Sequence, residues 1–226
     1  PTGAEALKRM SSAYHNTTHN DAKDVNEVKE ALSANPLLAL QVVGAKEISD
    51  PKTGIRRMQT EREVVEEWTA KIPPSKMGEV SADSFKDPNF GSVIVQKIAS
   101  SPSQIRGLAN NASEATINTF RTQVFSNINA SLLEAGAKTT NASGEDLTQL
   151  SDKLRDINKQ ISDAKASGLS GSRLDSMLAP LAATRQQIIA DRNSIIAGAG
   201  ANAGEIRALA NGVENLNQVI DGRTTI

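Results

Sequence analysis

Residues 147–161 read LTQLSDKLRDINKQI, and this stretch decides the fold of the C-terminal part of the chain. Its apolar residues stand alternately three and four positions apart: Leu147, Leu150, Leu154, Ile157 and Ile161. At 3.6 residues per turn such residues share one helical face, and a narrow stripe of this kind is the seam of a coiled coil. The stretch therefore predicts an amphipathic helix that packs against a partner helix.

Two further stripes follow, and turn residues separate them from the first. The return helix is predicted to bury Leu174, Leu178, Leu181 and Ile188. A last helix repeats the three-and-four spacing with Ile206, Leu209, Val213, Leu216 and Ile220. The Gly/Ser run at 167–171 and the Gly/Ala run at 197–204 supply the turn and the hinge between them. Residues 141–226 are thus predicted to form a short antiparallel coiled-coil three-helix bundle.

The return helix breaks its own pattern at three positions. Arg185 and Arg192 stand where the stripe calls for apolar residues. Two interpretations are open: the guanidinium groups reach solvent at the edge of the seam, or they meet acidic residues such as Asp156 or Asp163 across the hairpin. The first interpretation is favoured. Pro180 removes a backbone donor, which predicts a kink or two helices that meet at 179–180.

Residues 1–140 are predicted to be a helical globular region. Helical spacing of apolar residues indicates helices near 3–15, 21–33 and 36–43, and a turn at 50–54. Thr60 and Glu63 form a capping box that starts another helix. Prolines and Gly78 predict an irregular loop at 73–89 that lies over the surface. A short helix follows, with a strand at 92–95 as the alternative, and then helices begin after the capping residues Ser101 and Ser113. The fold class as a whole is predicted to be all-α.

Composition argues against several function classes. The 25 basic and 26 acidic residues nearly balance, so no basic excess for a phosphate backbone is evident. There is no cysteine, which excludes thiolate catalysis, disulfides and Cys-ligated zinc. No apolar run approaches the roughly 18 residues of a transmembrane helix. Aromatic residues are few and none follows Phe125, which suits slim helical packing in the C-terminal part.

No arrangement of side chains predicts catalysis. His15 and His19 stand four apart in HNTTH, a spacing that can bind a metal on a helix, but the glutamate of a metalloprotease motif is missing. A polar helix end is the favoured interpretation. The acidic residues near Glu61 and Glu67 alternate with basic ones, as on a solvated helix face. We therefore expect no catalytic residue, no cofactor and no metal.

The stretch SSPSQIRGLANNASEATINTFRTQVFSNI, residues 100–128, resembles a pattern found in internal virion (ejection) proteins of tailed bacteriophages. In that pattern a short helix of the form Pro-x-x-Ile/Leu-Arg-x-Leu precedes a helix that packs back as a hairpin. The matching positions are Pro102, Ile105, Arg106, Leu108, Ser113, Glu114 and Ile117. The resemblance implies a protein that is packaged in the capsid, is released with the genome and assembles into a ring or tube.

A second interpretation is a secreted bacterial helical protein, because LTQLSDKLRDINKQIS is similar to helices of flagellar hook-associated proteins and type III secretion translocators. An enzyme is the third. Under the first interpretation the partners are other virion proteins or copies of the same chain, in a homo-oligomer within the virion. No specific contact with nucleic acid and no transmembrane segment are expected. The three predicted stripes are then candidates for either the bundle seam or self-assembly.

Overall fold

The computed structural model describes residues 3–15 and 22–222. The chain packs into two compact units, Pro1–Gln123 and Val124–Ile226. Most of the described residues are helical, which confirms the all-α prediction. The predicted domain boundary after residue 140 falls in a loop of the second unit, so the region 1–140 and the region 141–226 do not coincide with these units.

Eleven α-helices and one strand pair make up the regular structure of the described residues. The helices are α1 Gly3–His15, α2 Ala22–Leu32, α3 Pro36–Val42, α4 Glu61–Ala70, α5 Ala82–Phe85, α6 Gly91–Ala99, α7 Pro102–Asn111, α8 Glu114–Glu134, α9 Leu147–Ala166, α10 Gly171–Ala197 and α11 Ala203–Gly222. Strands β1 Glu47–Ser49 and β2 Arg56–Met58 pair antiparallel, with Ile48 opposite Arg57. Short 3-10 helices occupy Pro74–Glu79 and Gly200–Asn202.

The first three helices share a small apolar cluster. Val28, Leu32, Ala39 and Val42 are buried there, and Trp68 of α4 packs against them. Asn35 starts α3 because its side chain accepts a hydrogen bond from the Leu38 amide, with Pro36 at the first helical position. These contacts fix α1, α2 and α3 on the side of α4.

The strand pair is held to α4 by a polar network. Arg57 donates from Nε to Asp50 (2.6 Å) and from Nη1 to Glu63 (2.6 Å). Glu63 is also the second member of the predicted capping box with Thr60, which the structure confirms. The Arg57 guanidinium lowers the pKa of both carboxyl groups to about 2. The turn and the helix start are therefore parts of one ion-pair cluster.

The segment 73–89 differs from its prediction. Instead of an irregular loop it forms the 3-10 helix Pro74–Glu79 and the short helix α5. Met77, Val80 and Phe85 are buried, so the segment belongs to the core of the first unit and does not lie over it. Proline and glycine prevent a long α-helix here, but they permit these short pieces, whose larger apolar side chains, Met77, Val80 and Phe85, point inward.

The remaining core of the first unit is formed by α6, α7 and the beginning of α8. The helix prediction for 90–98 is confirmed and the strand alternative is wrong, because Val93, Ile94, Val95 and Ile98 are buried within the helix α6. Phe85 and Phe120 meet edge to face, with ring centroids 5.4 Å apart.

In the second unit, α10 is one continuous helix of 27 residues with Pro180 inside it. The alternative of two helices meeting at 179–180 is therefore wrong. Gly168 and Gly171 adopt positive φ angles of 81° and 62° in the turn between α9 and α10, a conformation that favours glycine. This tight turn lets α10 return along α9 as a helical hairpin.

A candidate assembly surface on the helical hairpin

The half of the hairpin away from its turn, here called the proximal half, is well packed. Several predicted seam residues are buried there or on the helix that covers it: Leu147, Leu150, Leu154 and Ile157 on α9, Ile188 on α10, and Ile206, Leu209, Val213 and Leu216 on α11. Burying each of these aliphatic side chains stabilises the fold by about 1.5–3 kcal/mol. These residues act as a core between helices of the same chain.

The described part of the helix α11 lies along this proximal half. Near its end, Asp221 receives two hydrogen bonds from Arg155 of α9, from Nε at 2.9 Å and from Nη2 at 2.6 Å. This bidentate bond to Asp221 raises the pKa of Arg155. Because α11 is described only to Gly222, one residue further, its described part ends about level with Arg155.

The two arginines of the return helix have different partners. Arg192 donates from Nη1 to Glu214 of α11 at 2.6 Å, and its side chain is only 16% exposed. Arg192 therefore neither reaches solvent at the edge of the seam nor pairs with Asp156 or Asp163. Arg185 donates from Nε to the amide oxygen of Asn158 at 2.9 Å. Neither interpretation, solvent at the seam edge or an acidic residue of α9, included α11, because the sequence does not reveal which flank of α10 the last helix occupies.

The half of the hairpin near the turn, here called the distal half, comprises residues 158–185. The predicted seam residues Ile161, Leu174, Leu178 and Leu181 are only half-buried in it. Ile220, near the end of α11, is likewise half-buried. Met177 is 44% exposed. Among the described helices, α9 and α10 pack on each other here, whereas α11 also packs on the proximal seam residues.

The distal half also lacks charge along much of α10. Residues 176–184 read SMLAPLAAT and contain no ionisable side chain. Met177, Ala179, Pro180, Ala182 and Ala183 are all exposed. A surface helix normally has charged residues on its outer face, and a helix that is apolar on several sides is normally covered on several sides. This stretch therefore has the composition of an interface rather than of a solvated surface.

A cleft of about 760 Å³ runs beside the hairpin between α9, α10 and the end of α11. Its walls combine basic and acidic side chains: Arg155, Lys159, Arg185 and Arg192 with Asp152, Asp156, Asp163, Glu214 and Asp221. Since its walls have side chains of both signs, the lining has no single sign of charge that would favour an anionic or a cationic small molecule. We interpret the cleft as the open end of a groove between α9 and α10. In the proximal half of the hairpin, α11 fills this groove.

The loop that precedes α9 is anchored by Asn141, which sequence reasoning missed. Its side-chain oxygen accepts hydrogen bonds from the amides of Ser143 and Glu145, and its nitrogen donates to Asp191 at 3.0 Å. Glu145 in turn pairs with Lys153, which lowers the pKa of Glu145. The only sequence signal for this anchor is the Asn-x-Ser-Gly turn composition at 141–144.

The candidate chemistry of the N-terminal histidines receives no support from geometry. His15 is exposed, and its Nε2 lies 3.2 Å from the carbonyl oxygen of Val42. His19 lies outside the described residues. Within residues 3–15 and 22–222, no three His, Cys, Asp or Glu side chains are grouped so that they could hold a metal ion. In the same part of the chain, no helix combines the length and the apolarity that crossing a membrane requires.

Comparisons with models of protein families, with curated proteins and with solved structures give no match.

Proposed function

We propose that this chain is a structural subunit of a bacteriophage virion, an internal ejection protein that self-associates into a ring or tube for genome delivery. The observation that carries the proposal is the uncharged, partly exposed stretch of α10 in the distal half of the hairpin. A subunit of an assembly needs an apolar surface that a neighbour covers, and exposed apolar patches commonly mark sites of protein–protein contact.

The electrostatic balance supports protein rather than DNA as the neighbour. The chain has a formal net charge of −1, so it has no excess of cations to neutralise phosphates. Contact with the genome during packaging or release would then be indirect, through other virion proteins. The resemblance of residues 100–128 to ejection proteins supplies the virion context, and the folded hairpin supplies the surface.

The packing of the described residues supports a structural role over catalysis. The cleft beside the hairpin is lined by ion pairs between helices, such as Arg192 with Glu214, and these connect helices of the second unit. The hydroxyl groups among its lining residues belong to Ser151 and Ser162, and neither makes a hydrogen bond with a carboxylate or a histidine. A serine nucleophile normally has such a neighbouring base.

The proposal is tested by an inventory of virion proteins. Particles of the phage whose genome encodes this sequence are purified, and half of them are triggered to release their DNA. Mass spectrometry is expected to find the chain in full particles and to find it depleted from emptied ones. Its absence from full particles would contradict the proposal, and its accumulation in bacterial culture supernatant would favour the secreted-protein interpretation instead.

A further inference from the structure

One stripe on the distal half of α10 is complementary to itself. Asp175, Leu178, Ala182 and Arg185 are spaced three, four and three residues apart, which places them along one side of the helix. From the N-terminal to the C-terminal end, the order along the stripe is acidic, large, small, basic. In the opposite direction it is basic, small, large, acidic. When two such stripes lie antiparallel, each acidic residue meets a basic one and each large residue meets a small one.

The charged ends of this stripe lack counterions. Among the residues that the structure describes, the exposed side chain of Asp175 makes neither a hydrogen bond nor an ion pair. Arg185 uses Nε for the neutral oxygen of Asn158, and its terminal nitrogens have no carboxylate partner there. Guanidinium has five N–H donors, so a carboxylate can still bind Arg185 without displacing Asn158.

The two residues between these ends differ in exposure. Ala182 is exposed and Leu178 is half-buried against α9. In an antiparallel pair of helices, Leu178 of the first copy would fill the space above Ala182 of the second. By symmetry, Leu178 of the second copy would fill the space above Ala182 of the first. Alternation of large and small residues of this kind lets two helices approach closely.

We propose that two copies of this chain associate through this stripe, with their α10 helices antiparallel and a two-fold axis beside position 180. The inference rests on the proposed function and names the surface through which self-association begins. A two-fold interface requires that residue i contacts residue j while j contacts i. The pairs Asp175 with Arg185 and Leu178 with Ala182 satisfy this condition, since each pair is centred on residue 180.

Cysteine cross-linking tests the register directly, because the chain has no cysteine of its own. The variants Asp175→Cys and Arg185→Cys are made separately and mixed under mild oxidation. In the proposed dimer the thiol introduced at position 175 of one copy lies opposite the thiol introduced at position 185 of the other, so the mixture forms a covalent dimer. Either variant alone should not, because its two thiols are about 15 Å apart along the paired helices, beyond the roughly 7 Å limit for a disulfide.

Charge reversal gives a second test that leaves the chain free of cysteine. Asp175→Arg and Arg185→Asp should each weaken self-association about tenfold or more, because each places like charges together. The double variant restores opposite charges and should recover affinity to within a few-fold of the original. Arg173→Asp is the matched control, since it reverses an exposed charge on α10 outside the stripe and should change little. Far-UV circular dichroism checks that each variant remains folded.

Cross-linking that is equal in the mixture and in the single-variant samples would overturn the inference, and so would a double variant as weak as the single ones. Both results leave the proposed function intact, because that is decided by the presence of the chain in virions. A chain absent from virions whose cross-links still follow the predicted register would instead remove the virion role and retain the dimer.

Discussion

Gly107 of α7 lies directly against the backbone of Pro74. A methyl group in place of its hydrogen would be 2.4 Å from the Pro74 carbonyl oxygen, far inside van der Waals contact. Gly78, on the same 3-10 helix as Pro74, makes the reciprocal approach, with 2.3 Å from such a methyl group to the carbonyl oxygen of Asn111. Two glycines therefore let α7 and the 3-10 helix pack backbone to backbone, and the Asn111 amide donates to Pro74 across the contact at 3.1 Å.

The variant Gly107→Ala should lower the free energy of unfolding of the first unit by about 1–3 kcal/mol, because the added methyl meets backbone that cannot rotate away. Gly204→Ala is the matched control, since that glycine lies in α11 with open space around it and should be neutral or slightly stabilising. Urea unfolding followed by far-UV circular dichroism, which reports on the helices of both units, measures the effect. Equal stability of both variants would contradict the close packing.

A second prediction concerns Gln104, which is buried and donates through Nε2 to the carbonyl oxygens of Thr69 (2.9 Å) and Ile72 (3.0 Å). Gln104→Met keeps the volume and removes the donor, so it should cost about 1–3 kcal/mol in unfolding free energy. The exposed Gln186→Met should cost almost nothing. Urea unfolding measures both, and a similar loss for the two variants would indicate that these carbonyl groups do not depend on Gln104.

The sequence predicted the helix starts of the first unit well, because capping residues act locally. Thr60 and Ser101 each accept the expected hydrogen bond from the amide three residues on. The burial of 73–89 was not predictable in the same way. Proline and glycine signal the absence of a long helix, but only the tertiary contact between Gly107 and Pro74 reveals that this segment is packed inside.

Stability should fall at low pH through the cluster around Arg57. The guanidinium lowers the pKa of Asp50 from 3.8 to about 2 and that of Glu63 from 4.5 to about 2. Because the folded pKa values are lower than the unfolded ones, the stabilisation is present above about pH 4.5 and is lost as the pH falls toward about 2. Thermal unfolding followed across this pH range should show the loss as a falling Tm.

The variant Arg57→Gln should reduce this pH dependence, because the two carboxyl groups would then titrate nearer their ordinary pKa values. Arg56→Gln is the control, since Arg56 is a neighbour on the same strand whose ion pair with Glu47 is exposed to solvent. If the two variants and the unmodified chain lose Tm equally on acidification, the cluster does not contribute as described.

The packing of the hairpin gives a further prediction. Leu154 is 5% exposed in the proximal seam, so Leu154→Ala should cost about 2–5 kcal/mol. Leu133 is 67% exposed at the end of α8, and Leu133→Ala should leave the unfolding free energy nearly unchanged. Far-UV circular dichroism in urea measures both. Equal midpoints for the two variants would mean that the seam is not packed in the free protein.

Features of the candidate surface that depend on spacing along one helix were predictable, and features that depend on contacts between helices were not. The stripe that contains Leu154 is visible in the sequence because it is periodic. The pairing of Arg192 with Glu214 was not, because ion pairs between helices depend on which flank α11 covers. For the same reason, helical spacing predicted that Leu154 and Leu178 would both be buried. Only Leu154, which lies where α11 covers the hairpin, is buried, and Leu178 is half-buried.

Self-association is the central claim, and sedimentation equilibrium of the 226-residue chain over a wide range of loading concentrations tests it most directly. We expect a weight-average mass that rises with concentration from 23.9 kDa toward at least twice that value, as α10 pairs with its copy. Ala182→Glu, an exposed substitution in the middle of the stripe, should hold the mass near that of one chain. A constant mass of 23.9 kDa for the unmodified chain at every concentration would contradict the claim.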